Sequence, residues 1–504
     1  MSTLAVPLIL LSTLAQTPTR PPTAAPASAS TPAKAAAPRD LIARAVTAMG
    51  GETALRGLRN YSVTFYQTTF GLGQEETPQS PARATIITGT LTTDFAGSRQ
   101  ISASEARNPA GMVNKQRRIT VGGIGLLDNN GTLTPDGPGA VANVERSWRR
   151  ALERLLITAL DNPATVKALP ARTWRGESVN GVHYVNGPDT VDVYFDSRSG
   201  LPVLSEVLSD DAILGDRRSV TALTRWQDAG GVLYPRQLDT EVNGRLQTHT
   251  ILTAVTLNGT VADSLFVMPD SIKSKAQPGN PNPPPITVSL VELAPNVWRA
   301  EGGSHHSLIV DQGNRLVLIE APLSAQRMEA VLDTLRSRFP GKPVGIAINT
   351  HHHWDHASGL RTVLAANVPI VTHSRNVSFV RSIASARKTV RPDALSRSGK
   401  PSRSTITGVE DSLVVGTGEN RVVAYRLPTA HAEGVLAIYV PSARILFQSD
   451  VVNANPTPPV AGSAELVNFV KSRGITVERV AGGHGVVVAW ADVERAAAPP
   501  ASAP

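Results

Sequence analysis

The pattern of apolar and polar positions divides the chain into a region of predicted strands and a region in which strands alternate with helices. In the first region, runs of Thr, Val, Ile, Tyr and Phe predict strands over residues 61–70, 84–95, 191–195 and 248–257. Apolar residues at helical spacing predict helices over residues 40–49 and 144–160. Turns are predicted at Asn180-Gly181, Ser199-Gly200, Gly230-Gly231 and Asn243-Gly244. Together these elements predict a mainly antiparallel β (α+β) domain.

In the second region, apolar strands and amphipathic helices follow each other along the chain. Strands are predicted over residues 316–319, 344–348, 370–372, 436–440, 445–447 and 476–480. Helices are predicted over residues 326–339 and 464–472. This alternation predicts an α/β layered domain.

Segments rich in proline and alanine mark the boundaries of these regions. They predict a flexible tether over residues 16–38, a proline-rich linker over 275–285 and a disordered tail over 495–504. The N-terminal domain is therefore expected over residues 39–274 and the C-terminal domain over 286–494. The apolar run from Leu4 to Leu14, followed by small residues, predicts a signal peptide over residues 1–15. We therefore expect an exported protein, located in the periplasm or outside the cell.

Composition limits the chemistry that the chain can perform. The 504 residues include no cysteine, which excludes disulfides, iron–sulfur clusters and cysteine nucleophiles. Any metal must then be bound by His, Asp or Glu, which suits zinc, iron or manganese. The formal charge of +8 comes from scattered basic residues without interleaved aromatics, so no nucleic-acid partner is expected. No further stretch is long and apolar enough to predict a stable membrane span.

A cluster of histidines follows the predicted strand 344–348 and gives the strongest chemical signal. The chain has eleven histidines, and four of them lie between positions 351 and 356. His351 and His353 are two positions apart, so in extended backbone their side chains point the same way. The adjacent Asp355 and His356 can diverge toward two metals at the turn into a helix. The pattern predicts a metal site at the carboxyl end of a strand.

Three later residues also follow predicted strands and complete a candidate ligand set: His431, Asp450 and His484. A lone histidine is usually a surface or hydrogen-bonding residue, and a lone aspartate after a strand is usually a cap. Their shared order and placement favour metal ligation. His352 lies between two candidate ligands, so its side chain is expected to point away from the metals and to be structural.

The run His351-x-His353-x-Asp355-His356, with the three later residues, resembles the metallo-β-lactamase fold superfamily. The resemblance implies a four-layer αβ/βα sandwich that holds two Zn²⁺ ions, with Fe or Mn as alternatives. It implies that His351, His353 and His431 bind one metal, that Asp355, His356 and His484 bind the other, and that Asp450 bridges both. Glu320 stands where the superfamily usually has Asp, outside the direct ligands. Asp355 is also the expected catalytic residue, because it can orient a hydroxide and accept a proton.

The resemblance implies a dinuclear zinc-dependent hydrolase that uses a metal-bound hydroxide. Its expected substrate is a small molecule with an ester, thioester, lactone, amide or phosphodiester bond. Two alternatives stay open: a mononuclear iron dioxygenase on the same fold, and a periplasmic lipid- or peptide-binding protein with a residual metal site. Whether His305 and His306 contact substrate is open, as is the oligomeric state.

The N-terminal domain loosely resembles the half-barrel of periplasmic lipoprotein-carrier proteins. Residues 48–51, 196–202 and 264–266 carry this resemblance. It implies an apolar groove for a lipid or peptide. A scaffold or lid for the C-terminal domain is an equally open interpretation.

Overall fold

The computed structural model of the protein describes residues 37–280, 287–455 and 457–498. The predicted signal peptide, almost all of the predicted tether, part of the predicted linker and the end of the predicted tail lie outside these residues.

The N-terminal domain is built on one large sheet. Its strands are β1 (Asn60–Phe70), β2 (Ala84–Asp94), β3 (Arg99–Arg107), β4 (Val113–Val121), β5 (Ile124–Asn129), β6 (Thr132–Pro135), β7 (Val166–Trp174), β8 (Glu177–Asn186), β9 (Asp189–Asp196), β10 (Pro202–Asp211), β11 (Gly215–Asp228), β12 (Leu233–Val242) and β13 (Arg245–Leu257). Within the described residues these thirteen strands pair in the order β6-β5-β4-β3-β2-β1-β13-β12-β11-β10-β9-β8-β7. The paired strands are antiparallel, which confirms the predicted antiparallel sheet.

Short helices accompany this sheet. They are α1 (Pro38–Ala48), α2 (Glu52–Arg56), α3 (Pro138–Arg150), α4 (Leu152–Asp161) and α5 (Asp270–Lys273). Leu41 and Ile42 of α1 and Leu155 of α4 pack on β8 and β9 in a buried apolar core. The helix predicted over residues 144–160 is wrong as a single element, because Ala151 adopts an extended ψ of 129° and separates α3 from α4.

The turn predicted at Asn180-Gly181 is also wrong, because both residues lie inside β8. There Gly181 pairs with Leu169 on one side and Tyr194 on the other. A Cβ at Gly181 would lie 2.6 Å from the ring of Tyr194, so the glycine makes room for a packed aromatic side chain. Pairing with two neighbouring strands therefore outweighs the local turn tendency of the dipeptide.

The C-terminal domain contains two further sheets and a second set of helices. Its strands are β14 (Ser289–Ala294), β15 (Val297–Glu301), β16 (Ser307–Asp311), β17 (Leu316–Ile319), β18 (Val344–Ile348), β19 (Ile370–His373), β20 (Ile406–Val409), β21 (Ser412–Val415), β22 (Val422–Leu427), β23 (Val435–Val440), β24 (Ile445–Gln448), β25 (Arg479–Gly482) and β26 (Val488–Ala489). Its helices are α6 (Ala325–Arg338), α7 (Trp354–Ala357), α8 (Leu360–Ala365), α9 (Val377–Ser385), α10 (Ala394–Ser398), α11 (Val460–Arg473) and α12 (Trp490–Ala497). The strand predicted over residues 476–480 is only partly right, because β25 begins at Arg479.

Each sheet of this domain follows the chain order. In the described residues, one has the order β14-β15-β16-β17-β18-β19-β20, with parallel pairing from β17 onward, and the other has the order β21-β22-β23-β24-β25-β26. An apolar core that includes Val317 and Phe447 lies between the two sheets. Separate cores join the first sheet to α6 and α8 and the second sheet to α11. The C-terminal domain is therefore α/β, as predicted.

The two domains touch at more than one place. Residues 71–83, which connect β1 to β2 and are called the β1–β2 segment below, reach α7, where the backbone N–H of Trp354 donates to the carbonyl of Gly73 at 3.1 Å. Elsewhere the carboxylate of Asp216 accepts hydrogen bonds from the backbone N–H and the hydroxyl of Thr389. The structure therefore places part of the N-terminal domain beside the histidine cluster. In the described part of the chain, no helix is long and apolar enough to cross a membrane.

Candidate metal centre

The candidate ligands lie in loops and a short helix at the carboxyl ends of strands. His351 and His353 follow β18, while Asp355 and His356 lie in the short helix α7. His431 follows β22, Asp450 follows β24 and His484 follows β25. Because these strand ends meet at one edge of the two sheets, all seven predicted ligands come together.

Backbone strain accompanies this convergence. Glu320 and Asp450 have φ angles of 69° and 65°, in the left-handed region that residues other than glycine rarely adopt. Such conformations persist where the surrounding structure holds them, and they cluster at functional sites. Here they place the two carboxylates among the histidines.

We call His351, His353 and His431 the first ligand group. Nε2 of His431 lies 2.8 Å from Nδ1 of His353 and 3.3 Å from Nε2 of His351. His351 and His353 are buried. Three imidazole nitrogens therefore point toward one another with a carboxylate oxygen of Asp450 nearby, and the possible ligand atoms lie within 4.8 Å of one another.

We call Asp355, His356 and His484 the second ligand group. Nε2 of His484 lies 3.1 Å from Nε2 of His356, and Oδ2 of Asp355 lies 3.6 Å from the same His356 atom. His305 joins these residues, since its Nε2 lies 3.2 Å from Oδ2 of Asp355. The sequence alone leaves the role of His305 open, and the structure places this residue against the second ligand group.

Asp450 lies between the two groups. Its Oδ2 is 3.3 Å from Nε2 of His351 and 2.7 Å from Nε2 of His356, and its Oδ1 is 2.9 Å from Nε2 of His484. One carboxylate thus faces nitrogens of both groups. This arrangement suits a bridging ligand.

Contacts at the outer ring nitrogens of three histidines show which nitrogen of each ring faces inward. Nε2 of His353 lies 2.9 Å from the carbonyl oxygen of Glu75, and Nδ1 of His356 lies 2.8 Å from Oε2 of Glu320. Nδ1 of His351 lies 3.0 Å from the hydroxyl of Thr350. Because a carbonyl and a carboxylate can only accept, the outer nitrogens of His353 and His356 carry a hydrogen, and the inner nitrogen of the neutral ring presents a lone pair.

The buried carboxylate of Glu320 supports both groups. It accepts hydrogen bonds from the hydroxyls of Thr350 and Ser449 as well as from His356. Glu320 therefore orients His356 directly and His351 through Thr350. The replacement of the usual Asp by Glu keeps a carboxylate at this position.

The charges of the cluster favour a bound cation. Burial, together with nearby histidines, lowers the pKa of His351 to about 4 and that of His431 to about 3, so these rings are neutral near pH 7. Burial opposes ionisation of Asp450, but hydrogen bonds from His351, His356 and His484 hold its pKa well below the usual value. Burial likewise opposes a proton on His356, but the carboxylates of Glu320 and Asp450 raise its pKa well above the usual value.

This donor set fits divalent metal ions. The neutral rings of His351 and His431 bring their Nε2 atoms to 3.3 Å from each other, and the carboxylates that raise the pKa of His356 also favour a cation. Imidazole and carboxylate ligands suit zinc, iron and manganese. Ring orientation and charge therefore agree with the cation site that the spacing of the motif predicts.

Other histidines have different surroundings. His352 is buried, with Nε2 3.0 Å from the carbonyl oxygen of Glu75, and it points away from the ligand groups as expected. Burial lowers the pKa of His306 to about 4, and among the described residues it belongs to none of the candidate ligand groups. His373 is buried at the end of β19, and within the described part of the chain it also belongs to none of the candidate ligand groups.

The β1–β2 segment supplies contacts that sequence reasoning missed. Nε2 of Gln74 donates to Oδ1 of Asp355 at 2.7 Å, and Nη2 of Arg83 donates to the carbonyl of His431 at 3.1 Å. No local pattern in the sequence signals these contacts, since the partners are 281 and 348 positions apart.

Comparison with known protein families agrees with this geometry. The sequence profile described as "Metallo-beta-lactamase superfamily" matches residues 300–500, which include all seven candidate ligands. Residues 300–500 belong to the metallo-beta-lactamase superfamily. Membership in this superfamily indicates a metalloenzyme, in agreement with the donor set.

Individual relatives of the chain are distant. The chain is 27% identical over 162 residues to the 2,4-dinitroanisole O-demethylase subunit alpha of Nocardioides sp. (strain JS1661). This aligned stretch covers 32% of this chain and 45% of that protein. The chain thus matches less than half the length of this relative. Among solved structures, a metallo-beta-lactamase from Pontibacter korlensis is 18% identical, with 41% of this chain and 96% of that chain covered at a TM-score of 0.33. The structure of TMB-1 is 16% identical, with 42% of this chain and 95% of that chain covered at a TM-score of 0.33.

Proposed function

We propose that this protein is a dinuclear zinc-dependent hydrolase that acts on a small-molecule ester, thioester, lactone, amide or phosphodiester. The observation that carries the proposal is the position of Asp450, whose two oxygens face the first and the second ligand group at once. When bound, two divalent cations would activate water near neutral pH and polarise the scissile bond. We also propose that the C-terminal domain is the four-layer αβ/βα sandwich, which the core between the two sheets and the helix-facing cores support.

The residues of the chain have separate tasks in this proposal. The first ligand group would hold one ion, the second would hold the other, and Asp450 would bridge them. Asp355 would also act as the catalytic residue, by orienting the attacking water and accepting its proton. Burial opposes ionisation of Asp355, but a hydrogen bond from His305 and the nearby His356 lower its pKa, so it is a carboxylate near pH 7.

Metal analysis of the purified protein tests this proposal. We expect about two zinc-type ions per chain and loss of activity after treatment with a chelator. Absence of metal after zinc addition would contradict the hydrolase. One iron per chain, with oxygen consumption, would instead favour the mononuclear dioxygenase.

A screen of chromogenic esters, thioesters, lactones, amides and phosphodiesters with the zinc-loaded protein would define the substrate class. The name of the Nocardioides relative adds one compound to the screen, 2,4-dinitroanisole, whose hydrolysis with one water would release 2,4-dinitrophenol and methanol. If the loaded protein turns over none of these but binds lipids or peptides, the binding-protein alternative is favoured.

We also propose that the protein is exported, on the basis of the apolar run at residues 4–14. Sequencing of the mature N-terminus from the native host should give a start near Gln16. A cytoplasmic protein that keeps Met1 would contradict export.

A further inference from the structure

The β1–β2 segment lies directly against the metal centre. Gly73 packs on the side chain of Trp354, the residue before Asp355, and accepts a hydrogen bond from its backbone. A Cβ at Gly73 would lie 3.3 Å from the Trp354 ring, and its φ of 83° disfavours other residues. The backbone N–H of Glu433 donates to the carbonyl of Glu76 at 2.8 Å, close to His431. The segment thus contacts the loops that carry both ligand groups.

The backbone carbonyl of Glu75 determines the orientation of a ligand ring. It lies 2.9 Å from Nε2 of His353 and 3.0 Å from Nε2 of His352. Because the carbonyl can only accept, Nε2 of His353 carries the hydrogen and Nδ1 is left as the metal-binding atom. A metal-binding histidine usually donates its other ring N–H to a carboxylate, a carbonyl or water, and here that carbonyl comes from the N-terminal domain.

The side chain of Glu75 holds that carbonyl in place. It is 2% exposed, and its two oxygens have different partners. Oε1 accepts from Nη2 of Arg245 on β13 at 2.5 Å, and Oε2 accepts from the backbone N–H of Gly73 at 2.7 Å. A buried carboxylate with charged and backbone donors fixes local geometry strongly. The position of the carbonyl therefore depends on the large N-terminal sheet.

Gln74 makes the corresponding contact in the second ligand group. Its amide nitrogen donates to Oδ1 of Asp355 at 2.7 Å, whereas Oδ2 faces Nε2 of His305 and of His356. The amide is neutral, so it fixes the carboxylate without neutralising the charge that a metal needs.

We propose that the β1–β2 segment completes the metal centre, with the carbonyl of Glu75 positioning His353 and the amide of Gln74 positioning Asp355. This proposal rests on the metal-binding role proposed above. Gln74 and Glu75 are positioning residues in it, because they act on ligands and not on substrate. The N-terminal domain is then part of the active site of a superfamily enzyme whose seven ligands all come from the other domain.

The test compares zinc affinities of full-length variants by competition with a chelator. Glu75→Ala removes both anchors of the carbonyl, and we expect zinc bound by the first ligand group to be about 10–100-fold weaker. Gln74→Leu removes only the amide, and we expect zinc bound by the second ligand group to be about 10–100-fold weaker. His431→Ala and His484→Ala each remove one ligand and identify which dissociation constant belongs to which group.

A matched control comes from the same segment. Gln79 is exposed, and its amide contacts the hydroxyl of Ser378 at 3.3 Å, so Gln79→Ala should keep both affinities. The visible spectrum of the cobalt-loaded protein gives a second readout, because altered ligand geometry shifts it and a purely structural role does not. Thermal unfolding identifies any variant that is misfolded. If Glu75→Ala is misfolded, Arg245→Gln takes its place. This variant removes the charged partner of the Glu75 carboxylate at a half-exposed position.

The outcomes separate this proposal from the one on which it rests. If the unaltered protein binds no zinc, the proposed function fails first. If it binds zinc and both variants match Gln79→Ala in affinity and cobalt spectrum, the hydrolase stands and the role of the segment is wrong. Weaker binding in the expected group for each variant supports the proposal.

Discussion

His353 and His356 are both candidate ligands from one short stretch of chain, yet different domains hold their rings. The ring of His356 is held by Glu320, a buried carboxylate of the C-terminal domain. The ring of His353 is held by the carbonyl of Glu75, which belongs to the N-terminal domain. The difference indicates that one support of the site comes from the C-terminal domain itself and the other from the N-terminal domain. Changes at the two supports should therefore have different effects.

The largest effect is expected where a ligand also acts in the reaction. Asp355→Asn keeps the size of the side chain but removes the charge that, in the proposed hydrolase, would orient water and help to hold an ion in the second ligand group. Loss of a catalytic proton acceptor should reduce kcat by about 10²–10⁴-fold on a substrate from the screen. Activity within a fewfold of the unaltered protein, at full metal content, would show that Asp355 has no such role.

The support inside the C-terminal domain can be weakened at Glu320. Glu320→Gln removes a charge that faces His356 directly and His351 through Thr350, so zinc should bind about 10–100-fold more weakly to both ligand groups. Chelator competition measures the two affinities, and Glu320→Asp, which restores the carboxylate usual in the superfamily, is the control. An effect confined to one group would mean that the contact through Thr350 contributes little.

His305 offers a smaller change within the second ligand group. It is buried and faces Oδ2 of Asp355. His305→Ala should weaken zinc binding in this group by about tenfold, at the lower end of the range for residues that contact ligands, and leave the first group unchanged. Equal losses in both groups would indicate a general disturbance of the site and not a contact with Asp355.

The sequence could predict that the seven candidate ligands lie together, because their signal is local. Each candidate ligand lies close behind an apolar strand, and strand ends of an α/β domain meet at one edge. The contacts of Gln74 and Glu75 could not be predicted in this way, since they join residues 281 and 278 positions apart. Moreover, every residue type has a backbone carbonyl, so the contact of the Glu75 carbonyl cannot be predicted from residue identity. The break at Ala151 could not be predicted either. The apolar stripe continues across this residue, whereas the helical conformation of the backbone is interrupted there.

The smallest effect is expected at His352, which lies between two ligands but faces the other domain. Its Nε2 shares the carbonyl of Glu75 with His353, and its Nδ1 is buried without a hydrogen-bond partner in the described structure. His352→Ala removes one of two donors to that carbonyl and leaves the bond from His353 in place. We therefore expect kcat to fall far less than in Asp355→Asn, and zinc affinity to change less than in Glu75→Ala. Both variants should be measured on the same substrate, with metal content and thermal unfolding determined alongside. If His352→Ala proves as damaging as Asp355→Asn in a folded protein, the division between ligands and interdomain contacts is wrong, and His352 has to be considered part of the centre.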